Sequence, residues 1–434
     1  MRSLVAIMLL GTVFVGCIGP AATPVDLAST APSARVAAPD APAAWTGKEL
    51  EAEASEWEWT PACFVDMCEW PEYECTERNC ERTAFALDVP EGFWDEHDGA
   101  LEVSILWDDT DSDERAWFLL RVLDGAGQEM GWARGGVGRV FLVDEAPAGQ
   151  YTAEVIAIQG SKTYEAAVEL EAWSADREAH EMLPDIVVLP PTDLRIASPT
   201  WNGEDAALSA AGVEGCSTYE ATEGHAKRCL RFTNRVGNAG EGPFEVHLSA
   251  PEGAKAVAGM GRHVQVVHAT DGTTRVVDVG PATFHPTHTH FHYEGLNAFA
   301  VYEHDLETGT RGALVNTGHK GGVCLVNSGL IALGMPHTTM PDSSATCFYP
   351  AFTPLQLLWD DGISDWSMVL SPNWYDRYGW GLDDMYVDMA GAPDGVYELV
   401  SSANVDGSAV ESDATNNEAS VVFRLTGNEV ETLT

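Results

Sequence analysis

The stretch Leu101-Glu-Val-Ser-Ile-Leu-Trp107, written LEVSILW, alternates large apolar residues with Glu102 and Ser104. Successive side chains on a β-strand point to opposite faces, so Leu101, Val103 and Ile105 are expected to share one buried face. WFLLRVLDGAG, residues 117–127, repeats the theme and ends in Asp and Gly turn residues. Similar short runs separated by turns fill residues 57–175, with no sustained helical period. That pattern predicts an antiparallel β-sandwich.

Outward from this region the pattern continues. Residues 174–182, SADREAHEM, are polar and read as a linker or a short helix. A second unit, residues 181–428, opens with LPDIVV at Leu183. Its strands include CLRFTNRVGN (229–238), FEVHLSA, HVQVVHA, TRVVDVG, GVYELVSSANV and EASVVFRL. The expected fold class is therefore mainly β, with two β-sandwich-type domains. The end of the first domain, APAGQYTAEVIAIQGSKTYEAAVELEAW, resembles the small β-sandwich modules appended to secreted peptidases, which implies an accessory role. Asp108, Asp109, Asp111 and Asp113 read as a solvated acidic turn.

Ahead of the first domain, residues 18–56 are dominated by Ala, Pro, Ser and Thr, the composition of a flexible tether. Residues 1–17 carry Arg2, an apolar run from Leu4 to Val15, and Gly16-Cys17, which describes an export signal. A small residue before cysteine matches a lipoprotein processing site, with Cys17 the lipidated residue, although Phe14 stands where leucine is usual. The run is too short to span a bilayer, so membrane attachment is expected only through that lipid anchor.

The chain has 434 residues, with 67 Asp and Glu against 23 Lys and Arg, a formal charge of −44. Such a field repels nucleic acid and excludes it as a partner, and it attracts cations, amines included. A solubility adaptation to a salty habitat accounts for the charge itself. With Cys17 set aside, eight cysteines remain in an exported chain, which suggests disulfides. Cys63, Cys68, Cys75 and Cys80 cluster, while Cys216 with Cys229 and Cys324 with Cys347 read as local pairs. Zinc binding by the cluster is the alternative, disfavoured by the four-residue gaps.

The histidines are the densest chemical feature. FHPTHTHFHYEG puts His285, His288, His290 and His292 into eight of the residues of a chain with 13 histidines. On a strand, His288, His290 and His292 share one face, and imidazoles without thiolates suit copper or zinc. Three further stretches accompany them. GHKGGVCLVNS carries Lys320, one of five lysines; LSPNWYDRYGWGLDD carries Tyr375 and Tyr378; VESDATNNEASVVF carries Glu411, Asp413, Asn416 and Asn417. Each alone is unremarkable: lone lysines are usually solvated, aromatic runs are usually core, and acidic turns are usually only turns.

In this order, the motifs H-P-T-H-T-H-F-H, G-H-K-x-x-x-C-L, L-S-P-x-x-Y-D-x-Y-G and E-S-D-x-T-N-N resemble the catalytic domain of the lysyl oxidase family, from Leu183 to Leu425. The resemblance implies a copper amine oxidase acting on primary amines, including peptidyl lysine in proteins, with molecular oxygen as co-substrate. Aldehyde, hydrogen peroxide and ammonia are the products. It implies His288, His290 and His292 as copper ligands, with His285 unassigned. It implies that Lys320 and Tyr378 cross-link into lysyl tyrosylquinone, the self-derived cofactor. It further implies a structural calcium held by Asp185, the Ile186 carbonyl, Glu411, Asp413, Asn416 and Asn417, oxygen ligands suited to that ion.

The residues add constraints of their own. The outer two copper ligands would lie about 13 Å apart on an ideal strand, so the strand must curl or bulge to bring them to one ion. Tyr375 and Tyr378 are three apart and face opposite sides of a strand, so at most one can face the copper. Asp383 and Asp388 are candidates for the base. Thr287 replaces a family cysteine. Phe299 stands where the animal enzymes of the family have a histidine after the ligands, which leaves open how proton transfer is managed. The insertion GMPHTTMPDSSATCFYPAFTP lies where substrate access could be reshaped. Two rival readings are a non-enzymatic copper-binding surface protein that never forms the quinone, and an adhesion or binding protein in which metals only stabilise the fold.

Overall fold

LEVSILW forms the buried part of a strand, His97–Leu106, whose Leu101, Val103 and Ile105 are all 0% exposed. The alternation therefore points one row of side chains into the core, as period-2 patterning requires. This is a computed structural model, and it describes residues 35–37, 44–52, 73–108, 116–135, 138–175, 177–197, 200–201, 204–205, 213–222, 224–249, 261–285, 290–318, 320, 322–341 and 363–433.

Two antiparallel sheets build the first domain. One orders the strands Arg35–Ala37, Cys80–Asp88, Gly149–Gln159, Trp117–Asp124 and Glu129–Gly135. The other orders Ala44–Thr46, Glu165–Ser174, His97–Leu106 and Arg139–Asp144. Between them lies a core of Phe85, Leu101, Val103, Phe118, Leu120, Val155 and Tyr164. Each such large side chain contributes about 1.5–3 kcal/mol by leaving water. The sandwich expected from the sequence is present, and it reaches further toward the amino terminus. Arg35–Ala37, Ala44–Thr46 and Leu50–Glu51 fall in the segment read as a tether, 18–56, yet each pairs with a sandwich or flanking strand. Leu50 is fully buried in the same core.

Cys75–Cys80 and Cys216–Cys229 are disulfides, with S–S distances of 1.99 and 2.07 Å. The zinc alternative therefore does not apply to Cys75 and Cys80, whose sulfurs are bonded to each other. Cys324 is also disulfide-bonded. Cys63, Cys68 and Cys347, like Cys17 and the leader, lie outside the described residues.

Among the described residues of the second domain the regular elements are β-strands, apart from the short helix Thr218–Thr222. One sheet runs His290–Tyr293, Thr274–His285, Arg262–Ala269, Phe244–Ser249 and Ile363–Leu370, with Glu181–Met182 added beside Arg262–Ala269. A second orders Ile186–Arg195, Cys229–Asn238, Trp374–Tyr378 and Gly329–Leu330, and Tyr386–Asp388 also pairs with Cys229–Asn238. A third orders Thr310–Thr317, Asn297–Asp305, Gly395–Ala403, Glu418–Thr426 and Glu429–Leu433, extending the domain a few residues past 428. The sheets enclose Phe232, Phe244, Leu296, Met368, Trp374, Leu399 and Phe423.

The two domains meet directly. Val140 of the sandwich joins the second core. Both carboxylate oxygens of Glu171 accept the His337 N–H, at 2.9 and 3.0 Å. Gly334 leaves room for the Glu169 carboxylate, which lies 2.2 Å from where a Cβ would stand. His337 and Gly334 belong to the insertion, so its described part, residues 334–341, docks on the accessory sandwich.

Candidate functional site

The histidine stretch is a hairpin at the end of its sheet. His285 pairs with His290 and Thr283 with His292 across the two strands. His290 and His292 lie on the regular strand His290–Tyr293, and His288 lies outside the described residues. His292 is buried at 5% exposure. The next residue, Tyr293, exchanges both backbone hydrogen bonds with Val323, at 3.1 and 3.2 Å. That exchange fastens the histidine strand to the loop bearing Lys320. Gly322 makes the approach possible. A Cβ there would stand 2.6 Å from His292 Cβ and 2.7 Å from its Nδ1.

The same loop reaches the tyrosine strand. The Tyr378 hydroxyl accepts the Cys324 N–H at 2.8 Å and donates to the Cys324 carbonyl at 2.9 Å, across 54 residues of sequence. Lys320 Nζ lies 5.3 Å from the centroid of the Tyr378 ring, and both residues are 8% exposed. A histidine strand, a buried lysine and a buried tyrosine are thus brought into one locality by two pairs of hydrogen bonds. Tyr375 is excluded from it. It lies on the opposite side of the strand and lines a cavity of about 700 Å³ shared with Leu330, Arg235, Lys162 and Tyr164. Arg235 stacks 5.8 Å from the Tyr375 ring.

Burial sets the protonation chemistry here. Desolvation lowers the Lys320 pKa against the opposing fields of Asp384, Asp376, Glu294 and Asp383. Desolvation, reinforced by Asp376, raises the Tyr378 phenol well above its ordinary value. Asp376 was quoted in the Y-D-x-Y motif but given no role. Two residues before Tyr378, it shares that face of the strand. It is 3% exposed, and burial pushes its carboxyl up to about 7. Its Oδ1 accepts the Ser328 hydroxyl at 3.0 Å, and that bond together with the Arg377 and Val326 N–H groups and the Tyr378 hydroxyl opposes the rise.

The two aspartates proposed from sequence separate. Asp388 is a backbone cap, accepting the N–H groups of Arg228, Ala390 and Lys227 at 3.0, 3.0 and 3.3 Å. Its carboxylate is committed to holding a turn. Asp383 is half-buried, and its field reaches Lys320. Its loop is anchored by a feature that no sequence pattern revealed, the Glu220–Arg231 ion pair at 2.8 Å, both side chains 0% exposed. Arg231 also donates to the carbonyls of Trp380 and Leu382, and Glu220 accepts the Asp384 N–H. Phe299 is core, edge-on to Phe232 with centroids 4.9 Å apart.

The residues expected to hold calcium converge from opposite ends of the domain. The Ile186 N–H donates to Glu411 at 3.0 Å, the Ser412 N–H to the Pro184 carbonyl at 2.8 Å, and the Asn416 amide to Asp185 at 2.9 Å. The Asn417 amide donates to Glu411 at 2.7 Å, and Asp413 accepts Thr415 within its own turn. Oδ1 of both Asn416 and Asn417 is buried with no hydrogen-bond partner. Burial raises the Asp185 pKa, and the charges of Asp413 and Glu411 raise it further. Two orphaned amide oxygens beside clustered carboxylates fit a hard cation.

No protein-family model and no curated protein matches the chain. Among solved structures it is similar to the β-glucuronidase of Bifidobacterium dentium complexed with coumarin-3-O-glucuronide, at 12% identity, over 66% of this chain, with a TM-score of 0.17. The chain covers 48% of that structure, about half its length, and a likeness this slight carries no argument about function.

Proposed function

We propose that the chain is an exported copper amine oxidase that converts Lys320 and Tyr378 into its own quinone cofactor and oxidises primary amines, peptidyl lysine among them, with molecular oxygen. The observation that carries this reading is the placement of the Lys320 amine 5.3 Å from the Tyr378 ring centroid, both buried, beside the strand of His290 and His292. A buried lysine over a buried phenol is a poor way to stabilise a core, because the ammonium loses its hydration. It is a good way to present an amine to a ring. Copper, held by His288, His290 and His292, would supply oxidation of the phenol and reaction with oxygen. The donor set suits it, and Gly322 lets the Lys320 loop pass close against His292.

The chain's own residues do the rest. Burial of Lys320 favours its neutral, nucleophilic amine. The paired hydrogen bonds to Cys324 fix the phenol oxygen and so the orientation of the ring edge. Asp383, Asp384 and Glu294 make the surroundings of Lys320 acidic, which favours entry of a cationic amine. A calcium ion at Asp185, Ile186, Glu411, Asp413, Asn416 and Asn417 would have a structural role, clasping the two ends of the domain. The disulfides are compatible with an oxidising, extracellular compartment. Among the described residues no helix is long and apolar enough to cross a membrane. Attachment through Cys17 is part of the proposal.

Peptide mapping of copper-exposed protein tests the reading. Trypsin should fail at Lys320, whose peptide should be found joined to the one bearing Tyr378. Lys320→Arg and Tyr378→Phe should each abolish the joined peptide and peroxide production from a simple alkylamine, and Tyr375→Phe should retain activity. Unmodified Lys320 in a preparation that oxidises amines would overturn it.

A further inference from the structure

We propose that Arg139, which belongs to the accessory sandwich, is a positioning residue for the joining of Lys320 to Tyr378: its guanidinium braces Trp374 and so fixes the strand that carries the tyrosine. This rests on the amine-oxidase reading above and extends it to the accessory domain. Arg139 acts through the strand rather than on the reacting atoms.

Trp374 and Tyr378 begin and end one short strand, and with Asp376 they share one face of it. The segment from Cys324 to Leu330 lies beside that strand and grips it at three levels. Cys324 exchanges two hydrogen bonds with the Tyr378 hydroxyl. The Ser328 hydroxyl donates to Asp376 at 3.0 Å, and the Ser328 N–H to the Tyr375 carbonyl at 2.8 Å. Leu330 pairs with Trp374. The tyrosine end of the two segments is thus tied to the Lys320 loop, and the tryptophan end is where the sandwich arrives.

Three consecutive sandwich residues make that contact. Arg139 opens the strand Arg139–Asp144, and its guanidinium carbon stands 5.7 Å from the centroid of the Trp374 ring, within cation–π reach. Gly138, at φ 67°, passes so close that a Cβ would lie 2.8 Å from Leu330 Cβ and 3.0 Å from the Leu330 nitrogen. Val140 is fully buried in the second domain's core. The sandwich therefore closes over Leu330 and Trp374 together. The indole has a second tether, since its Nε1–H donates to the Thr339 carbonyl at 2.8 Å. Thr339 lies two residues past His337, which is itself held by Glu171 of the sandwich. A guanidinium loses hydration in such a place, so an apolar side chain would fill the space at lower cost. What the cation adds is direction, because its attraction to the ring face sets the plane of the indole. Close-packed interiors transmit strain, and this strand is hydrogen-bonded to Cys229–Asn238 on one side and Gly329–Leu330 on the other, so a shift at Trp374 is carried toward Tyr378.

The test adds copper, in air, to metal-free full-length protein and follows the joined peptide at saturating copper, with copper affinity measured beside it. Misplacing a reacting group by about 1 Å costs roughly a hundredfold, so a lesser shift relayed along the strand should make Arg139→Met about tenfold slower. Its copper affinity should stay at the wild-type value, since the histidine strand belongs to another sheet. Arg134→Ala removes a guanidinium stacked 4.6 Å from Trp132 within the sandwich itself and should change neither quantity. Trp374→Phe should also slow joining. The double variant should be no slower than the slower single one, because both changes break the same contact. Joining at the wild-type rate in Arg139→Met, a matching loss of copper affinity, or penalties that multiply in the double variant would each overturn the proposal. If Arg139→Met does not fold, Arg139→Lys keeps the charge and loses the planar stack. Slower joining at unchanged copper affinity is then expected, and a wild-type rate would overturn the proposal. Wild-type protein that binds copper yet never forms the joined peptide is a separate outcome, which refutes the amine-oxidase reading and this proposal with it.

Discussion

Replacing Gly322 by alanine adds one methyl group where the Lys320 loop crosses the histidine strand. That Cβ would lie 2.6 Å from His292 Cβ, 2.7 Å from its Nδ1 and 2.9 Å from Glu294 Oε1. Ordinary carbon contacts fall near 3.5–4.0 Å, so loop and strand must part by about 1 Å. They cannot part freely, because Tyr293 and Val323, one residue along each segment, are locked by two backbone hydrogen bonds. Relief must therefore come from a local shift of the His292 backbone and ring together. Overpacking of this kind costs about 1–3 kcal/mol, which the fold should survive. A reacting group misplaced by about 1 Å loses roughly a hundredfold in rate. Gly322→Ala should therefore keep most of its thermal stability while copper affinity and the rate of Lys320–Tyr378 joining both fall steeply. Gly381→Ala is the control, since nothing lies within 4 Å of its added Cβ. Copper titration and timed peptide mapping of both variants are the assays. Copper affinity and joining rate at wild-type values in Gly322→Ala would refute the packing argument.

Two further outcomes probe the scaffold. Calcium should raise the melting temperature in proportion to the logarithm of its concentration, by about 2.7 kcal/mol at a hundredfold excess over Kd, through Asp185, Glu411, Asn416 and Asn417. Lowering pH should weaken this effect, because Asp185, its pKa raised by burial, protonates early and loses its charge. A melting curve indifferent to both calcium and chelator would remove the site. Glu220→Gln strands the Arg231 charge at 0% exposure and should destabilise the domain by about 3–5 kcal/mol in urea titrations. Because Arg231 also holds the carbonyls of Trp380 and Leu382, hydrogen exchange should rise first in residues 380–385; exchange confined elsewhere would show that the pair does not anchor that loop.

Much of this molecule was legible in one dimension because a strand's two-residue period is a local property. Leu101, Val103 and Ile105 declare their face by spacing alone, and the same rule separates Tyr375 from Tyr378. Composition misled at Arg35–Ala37, Ala44–Thr46 and Leu50–Glu51, strands of two or three residues that owe their form to pairing with distant strands rather than to their own propensity. Which tyrosine faces the lysine, and what it meets there, was decided only by the fold. Lys320 reaches Tyr378 through the Tyr293–Val323 and Cys324–Tyr378 hydrogen bonds, which join segments far apart in sequence. Asp383 and Asp388 read in sequence as equal candidates for a base. The fold leaves Asp383 half-buried with its field on Lys320 and commits Asp388 to three backbone N–H groups. Residue type and spacing specify which groups a strand can present. Desolvation and the identity of the facing atoms, which set whether such a group can move a proton, arise only when separate strands pack together.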